Sequence, residues 1–293
     1  MGLFFQLLIN GLIAGAIYAL VASGFSLIYS TCKFVHFAHG ATIAFSAYFL
    51  YFLFSMLHLN FGFAVVLSII FASILGWLMN FLVYRQLRKR KASSVILLIA
   101  GVALLIFFES LILMLFSADV KAIGYIKVAK GIEFFSAIIT PLQIFIIISS
   151  LVLLGLLFLM MKMTKIGKAM RAVANNKDAA EIVGISAEKI YSYSFIVGSA
   201  IAGIAGILIG MEQSLEPMMG TSLIIKGFTG AIIGGIGNVP GAILGSFLVG
   251  IAENLGIWYL PSGYKDAITF VLLLLFLLLK PKGILGIKKG EEK

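Results

Sequence analysis

Charge is scarce in this chain. Asp, Glu, Lys and Arg make up 12% of its 293 residues, where a water-soluble domain carries about a quarter. Such a chain cannot cover its own surface with polar groups in water. Cysteine is down to one residue, Cys32, which excludes an intramolecular disulfide and a Cys-based metal cage. Histidine occurs only as His36, His39 and His58. No GxxxxGK[ST] phosphate loop is present; the nearest approach, "KIGKAM", lacks both the upstream glycine and the Ser/Thr. No HExxH, Ser/His or paired-Asp arrangement appears, so an intramembrane enzyme has no support. Alternating segments of roughly ten residues are missing too, which excludes a membrane β-barrel. The opening "MGLFFQLLIN" has neither a basic leader nor a small-residue cleavage site, and reads as a first span. Gln6 stands where a myristoylation motif needs Ser or Thr.

What the chain has is apolar length. Hydrophobic residues make up 61% of it. Runs 3–29, 61–84 and 138–161 are each long enough to cross hydrocarbon, which takes roughly 20 helical residues. The expected fold class is an all-α polytopic membrane protein of about 8–10 transmembrane helices, with 1–293 as a single transmembrane domain.

The net charge of +10 is confined to loops and a tail. Five basic residues lie in "RQLRKRK" (85–91), six between Lys162 and Lys189, and five at or after Lys280. Basic loops mark the cytoplasmic face of a membrane protein, so these are expected beside anionic lipid headgroups and not on nucleic acid. The resulting topology puts the N-terminus outside and the C-terminus in the cytoplasm. The stretch 222–256 is rich in glycine, and Asn238-Val-Pro240 breaks it into two short apolar halves. Two short helices there bring the crossings to nine; a re-entrant pair is the alternative. Gly11/Gly15, Gly206/Gly210, Gly230/Gly234 and Gly241/Gly245 are GxxxG pairs, which let helix backbones approach closely.

The loop 162–190 is polar, basic and helix-prone, unlike the other connections. Met170, Val173, Ala179, Ala180, Ile182 and Val183 recur in it at roughly helical spacing. Asn176 is placed to cap a short helix with Asp178 in its first turn and Gly184 as its stop, and Ser186 to cap the next. A cytoplasmic helix near 168–184 is expected, suited to docking another protein.

The pattern "GKAMRAVANNKDAAEIVGI" resembles the coupling segment of ATP-binding-cassette permeases of the branched-chain amino acid uptake group. The same group is resembled by "NGLIAGAIYALVASGFSLIYS", "FAHG", "AGIAGILIG", "GFTGAIIGGIGNVPGAILGSFLVGIAE" and "YKDAITFVLLLLFLLLKPKGILG", in that order along nearly the whole chain. The resemblance implies a membrane permease subunit that works by alternating access. It would pair with a homologous second permease, two ATP-binding subunits and an extracytoplasmic solute-binding protein, with no cofactor of its own. On this resemblance Gly167, Arg171, Asn175, Asp178 and Gly184 are expected to serve contact with the ATPase. His36, Phe37, Ala38, His39 and Gly40 form a family signature, in which His36 departs from the usual Asn. Urea, short amides or other solutes remain alternatives to branched-chain amino acids, and an ATP-independent transporter or channel is a further one.

Several residues have two readings. His36 and His39, at i and i+3, share a helix face in a helical reading. A metal needs more ligands than two and no carboxylate lies nearby in sequence, so hydrogen bonding that fixes the turn is preferred to metal binding. Glu109 and Glu253 fall within apolar spans, and Lys226 in the first half-helix. Ionisable groups there must pair or face a cavity. Pairing and a place on the translocation path, together with Gly234, Gly235 and Asn238, both stand open.

Overall fold

The computed structural model describes residues 2–124, 131–134 and 137–286. Lys288, Lys289 and Lys293 of the expected basic tail lie outside them. Twelve α-helices follow in chain order: α1 (Gly2–Cys32), α2 (His39–Tyr51), α3 (Phe61–Met79), α4 (Arg85–Lys89), α5 (Ser94–Phe116), α6 (Pro141–Met163), α7 (Lys165–Asn175), α8 (Lys177–Ile182), α9 (Ala187–Glu212), α10 (Met219–Gly234), α11 (Val239–Gly256) and α12 (Lys265–Leu279). Among the described residues, eight helical segments are long and apolar enough to span a membrane, and Met219–Gly234 is a shorter apolar helix. The fold is all-α and polytopic. An antiparallel hairpin, β1 (Ile132–Phe134) with β2 (Ala137–Ile139), is a small addition that periodicity did not announce. Gln6 of α1 pairs with it through both groups of its carboxamide: Ile138 N donates to Oε1 at 2.8 Å and Nε2 donates to the Ile138 carbonyl at 3.1 Å.

The chain forms two compact units, 1–26 with 126–154 and 225–293, and 27–125 with 155–224. In the first, the GxxxG pairs of α10 and α11 face each other. A Cβ on Gly245 would strike the Gly230 carbonyl, and one on Gly234 would strike that of Gly241. Gly250 approaches Gly11 and Gly15 of α1 so closely that its Cβ would lie 2.6 Å from the Gly11 oxygen. Small residues at these points bring helix backbones together where lipid supplies no hydrophobic drive for association.

In the second unit, α2, α3, α5 and α9 pack together. Gly203 of α9 meets Ala72 of α3 and Ser46 of α2, and Gly206 meets the Ile43 backbone. The start of the second span departs from the helical reading of His36 and His39. Residues 33–38 form a turn, with Lys33 at φ 57°, and α2 starts only at His39. His36 therefore precedes the helix, and the i, i+3 helical reading of the two histidines does not hold. Two π turns follow helices: Phe52–Met56 ends the second span, and Asn80–Tyr84 joins α3 to α4.

Candidate functional site

Most of the predicted residues fall in three constellations. The loop 162–190 is the first. Thr164 caps α7 by accepting from Gly167 N at 3.0 Å. Gly167 is buried so tightly that a Cβ would come within 2.6 Å of Met161; this lets α7 fold back on the end of α6. Arg171 donates from Nη1 to the Met161 carbonyl at 2.7 Å, satisfying an open carbonyl at the α6 terminus. The expected single helix is two. Asn176 leaves the helical region (φ −149°) and its Oδ1 accepts from Ala179 N at 3.0 Å, so the residue that caps α8 is the one that breaks α7. Asp178 stands exposed in the first turn of α8. Gly184 takes φ +86°, a left-handed conformation that favours glycine. Ser186 occupies the α9 cap position without a side-chain cap bond.

Of the apolar residues in this loop, Met170, Val173 and Ala180 are buried, whereas Ile182 is 85% and Val183 73% exposed. Asn175 is exposed as well. The loop thus presents Asn175, Asp178, Ile182 and Val183 on an otherwise polar surface. Helical spacing groups Ala179, Ile182 and Val183 with the buried residues, and all three are exposed.

The second constellation is the signature turn. His36 and His39 are fully buried. His36 Nδ1 is hydrogen-bonded to the Tyr84 hydroxyl at 2.8 Å. The His36 ring packs on Phe195 at 4.8 Å and lies 6.0 Å from the His39 ring, centroid to centroid. His39 N donates to the His36 carbonyl at 3.2 Å, and Gly40 N to that of Phe37 at 3.0 Å, which closes the turn around Phe37 and Ala38. Gly40 backs onto Gly220, where a Cβ would lie 2.6 Å from the carbonyl oxygen. Nothing in the sequence around "FAHG" singled out Tyr84. Glu109, elsewhere in this unit, accepts a hydrogen bond from Thr221 Oγ1.

The third is a charge cluster in the first unit. Lys226 Nζ of α10 lies 3.4 Å from Glu253 Oε1 of α11 and 3.0 Å from Asp266 Oδ1 of α12. Tyr18 of α1 donates to Glu253 Oε2 at 2.8 Å, Lys226 donates to Tyr18 Oη at 3.3 Å, and Thr269 Oγ1 donates to Glu253 Oε1. Glu253 is wholly buried, and Asp266 is 61% exposed. Both oxygens of the buried carboxylate have partners, as an ionised group out of water requires.

Gly234, Gly235 and Asn238 stand apart from that cluster, in the turn between α10 and α11. Asn238 Oδ1 accepts from Gly241 N at 3.3 Å to cap α11, and its Nδ2 donates to the Leu285 carbonyl at 2.8 Å. Ile284 N and Leu285 N donate to the carbonyls of Ile233 and Gly234 at 2.8 and 2.9 Å. Gly235 has φ +111° and its pro-Cβ direction faces Gly286. The chain's own residues 284–286 therefore cover the turn.

Residues 7–277 match the family described as branched-chain amino acid transport system / permease component. Over 302 aligned residues the chain is 33% identical to the high-affinity branched-chain amino acid transport system permease protein LivH of Escherichia coli K12, spanning 99% of this chain and 97% of that one. Against the corresponding protein BraD of Pseudomonas aeruginosa the identity is 32%, over 99% and 98%. Among solved structures, PsaBC from Streptococcus pneumoniae in complex with Fab is alike in fold, with a TM-score of 0.52 and 14% identity over 93% of this chain and 91% of that one. The family match covers most of the chain, and the chain belongs to the branched-chain amino acid transport system permease component family, as a transport component and not an enzyme.

Proposed function

We propose that this chain is the membrane permease subunit of an ATP-driven importer for branched-chain or related apolar amino acids. It would work with a homologous second permease, two ATP-binding subunits and an extracytoplasmic solute-binding protein. We read the whole of 1–293 as one permease domain; three of the four boundaries between its two units fall inside helices, in α1, α6 and α10, which supports that reading. The observation that carries the reading is full-length similarity to permease proteins of branched-chain amino acid systems.

Orientation follows from the basic loops: 85–91 and 162–190 in the cytoplasm, the N-terminus outside and the C-terminus inside. In that orientation the capped helices α7 and α8 form the coupling element. Exposed Ile182 and Val183 support this, since such side chains on a polar loop suit a protein partner. Asn175 and Asp178 lie beside them, while Gly167, Arg171 and Gly184 set the shape of the loop. Opening and closing of the ATPase pair would move this loop and rock the bundle between two accessible states. Lys226 and Glu253 would offer a zwitterionic solute both signs of charge, and with Glu109, Gly234, Gly235 and Asn238 they are the residues assigned to the path in this reading.

Two experiments decide. Cysteines at 175 or 178 should cross-link to the ATP-binding subunit; linkage only to the extracytoplasmic protein overturns the orientation and the coupling role. Proteoliposomes of the complete complex should accumulate labelled leucine with ATP. Uptake of urea or short amides and not leucine replaces the solute assignment, and uptake without ATP overturns the importer.

A further inference from the structure

In the second unit, side-chain hydrogen bonds and the π turn at 80–84 connect Glu188, near the end of the loop 162–190, with the turn at 33–38. The series begins at Glu188 in the first turn of α9. Its carboxylate accepts from Arg88 Nε at 3.0 Å and Nη2 at 2.9 Å. The same Nη2 donates to Asn80 Oδ1 at 2.8 Å, and Asn80 Nδ2 donates to Ser192 Oγ at 3.1 Å, one turn further along α9. Asn80 opens the π turn between α3 and α4, and Tyr84 closes it. The Tyr84 hydroxyl reaches His36 Nδ1 at 2.8 Å, and four residues on, Gly40 abuts Gly220 in the first turn of α10. Asn80, Tyr84 and His36 are all fully buried.

The π turn is the element in this series with an alternative register. It holds one residue more than an α-helix would, and such turns gather at functional sites. Shifting or expelling that residue rotates one flank against the other by about 100°, one residue's share of a 3.6-residue turn. Asn80 and Tyr84 sit at its two ends. The bonds of Asn80 to Arg88 and Ser192 and the bond of Tyr84 to His36 hold together only in the present register.

We propose that Tyr84 and His36 are positioning residues for the coupling of ATP hydrolysis to transport: through the π turn they key the signature turn at 36–40 to the Arg88–Glu188 pair beside the coupling loop. The proposal rests on the importer reading. Asn at position 36 would keep the bond. Nδ1 of His and the terminal carboxamide atoms of Asn stand the same number of bonds from the backbone, so either residue reaches the Tyr84 hydroxyl. The imidazole adds ring contact with Phe195.

The test uses the intact complex in proteoliposomes, with ATP hydrolysis and labelled-leucine uptake measured on the same vesicles. A wild type that neither hydrolyses ATP nor takes up leucine overturns the importer reading itself. With wild type active, His36→Asn should preserve the ratio of leucine moved to ATP hydrolysed. His36→Leu and Tyr84→Phe should retain hydrolysis and lower that ratio about tenfold, within the usual range of coupling between sites. Proportional loss of both activities, or an unchanged ratio, reduces the two residues to packing and overturns the proposal. A second measurement does not depend on leucine: hydrogen exchange of the complex with and without ADP and vanadate. Nucleotide should change protection at 33–40 in wild type and His36→Asn and leave it unchanged in His36→Leu. A response at 33–40 that survives His36→Leu sinks the proposal.

Discussion

Lys226 Nζ lies 3.4 Å from the buried Glu253 carboxylate and 3.0 Å from the exposed Asp266 carboxylate, so one cation ties α10 to both α11 and α12. Two carboxylates sharing one ammonium, with Tyr18 and Thr269 donating to the buried one, make a cluster in which no charge is left alone.

Glu253→Gln keeps the shape of that cluster and removes its buried charge. Lys226 then keeps only the exposed Asp266 as an anionic partner. Removing one partner of a buried pair costs about 3 kcal/mol. Thermal inactivation of the purified complex should occur at lower temperature, with reduced uptake, and Lys226→Met on the Glu253→Gln background should recover part of the loss. Unchanged uptake affinity and rate in Glu253→Gln would remove this residue from any functional role.

The glycine contacts separate two kinds of position. Gly245→Leu should prevent α10 and α11 from closing, because even a Cβ there meets the Gly230 carbonyl; the expected result is loss of monodisperse protein in gel filtration. Gly155 of α6 has open space where a Cβ would go. Gly155→Ala should be neutral or mildly stabilising, since alanine's helix preference is worth up to about 1 kcal/mol.

Asn176→Ala removes the cap of α8. Loss of such a cap costs about 1 kcal/mol, which is a large part of the stability of a six-residue helix. Amides of 177–182 should exchange faster, while those of α9 stay protected. Equal exchange in both proteins would show that tertiary contacts alone hold α8.

The loop after α5 carries a pH-dependent contact. The Ser117 hydroxyl, and secondly Lys121, hold the Asp119 carboxyl below its ordinary range. A depressed carboxylate pKa contributes order above the unfolded value, about 4, and that contribution is lost as pH falls through the folded value. Asp119→Asn should therefore speed exchange at 117–121 at neutral pH, and the difference from wild type should shrink in acid.

Much of the coupling loop is legible in sequence because its signals are local. Asn176 three residues before Ala179, and Gly184 just past the helix, are cap and stop at fixed short spacing. The same holds for the GxxxG pairs as small-residue stripes. Which stripes meet is another matter: Gly230 faces Gly245 and Gly250 faces Gly11 only because α10 and α11 reverse at residues 235–238. The i, i+3 spacing of His36 and His39 reads as helical because Phe34, Val35, Phe37 and Ala38 keep the stretch largely apolar between two spans, and apolar content alone does not mark where one buried helix ends and the next begins.

Scarce charge, long apolar runs and basic residues confined to loops determine by themselves that this is a polytopic helical membrane protein, because lipid forces every spanning segment to satisfy its own backbone. The sequence also marked Lys226 and Glu253 as groups that need partners. Only the tertiary structure decided what those partners are. Tyr18 and Glu253 are 235 residues apart and Arg88 and Glu188 are 100 apart, and a side chain's periodicity reports its face, not its neighbour. The structure likewise left Ile182 and Val183 in the open, joined His36 to Tyr84 across a π turn, and laid residues 284–286 over the turn at 235–238. Each of these depends on where helices cross, and crossing is set by packing between distant segments.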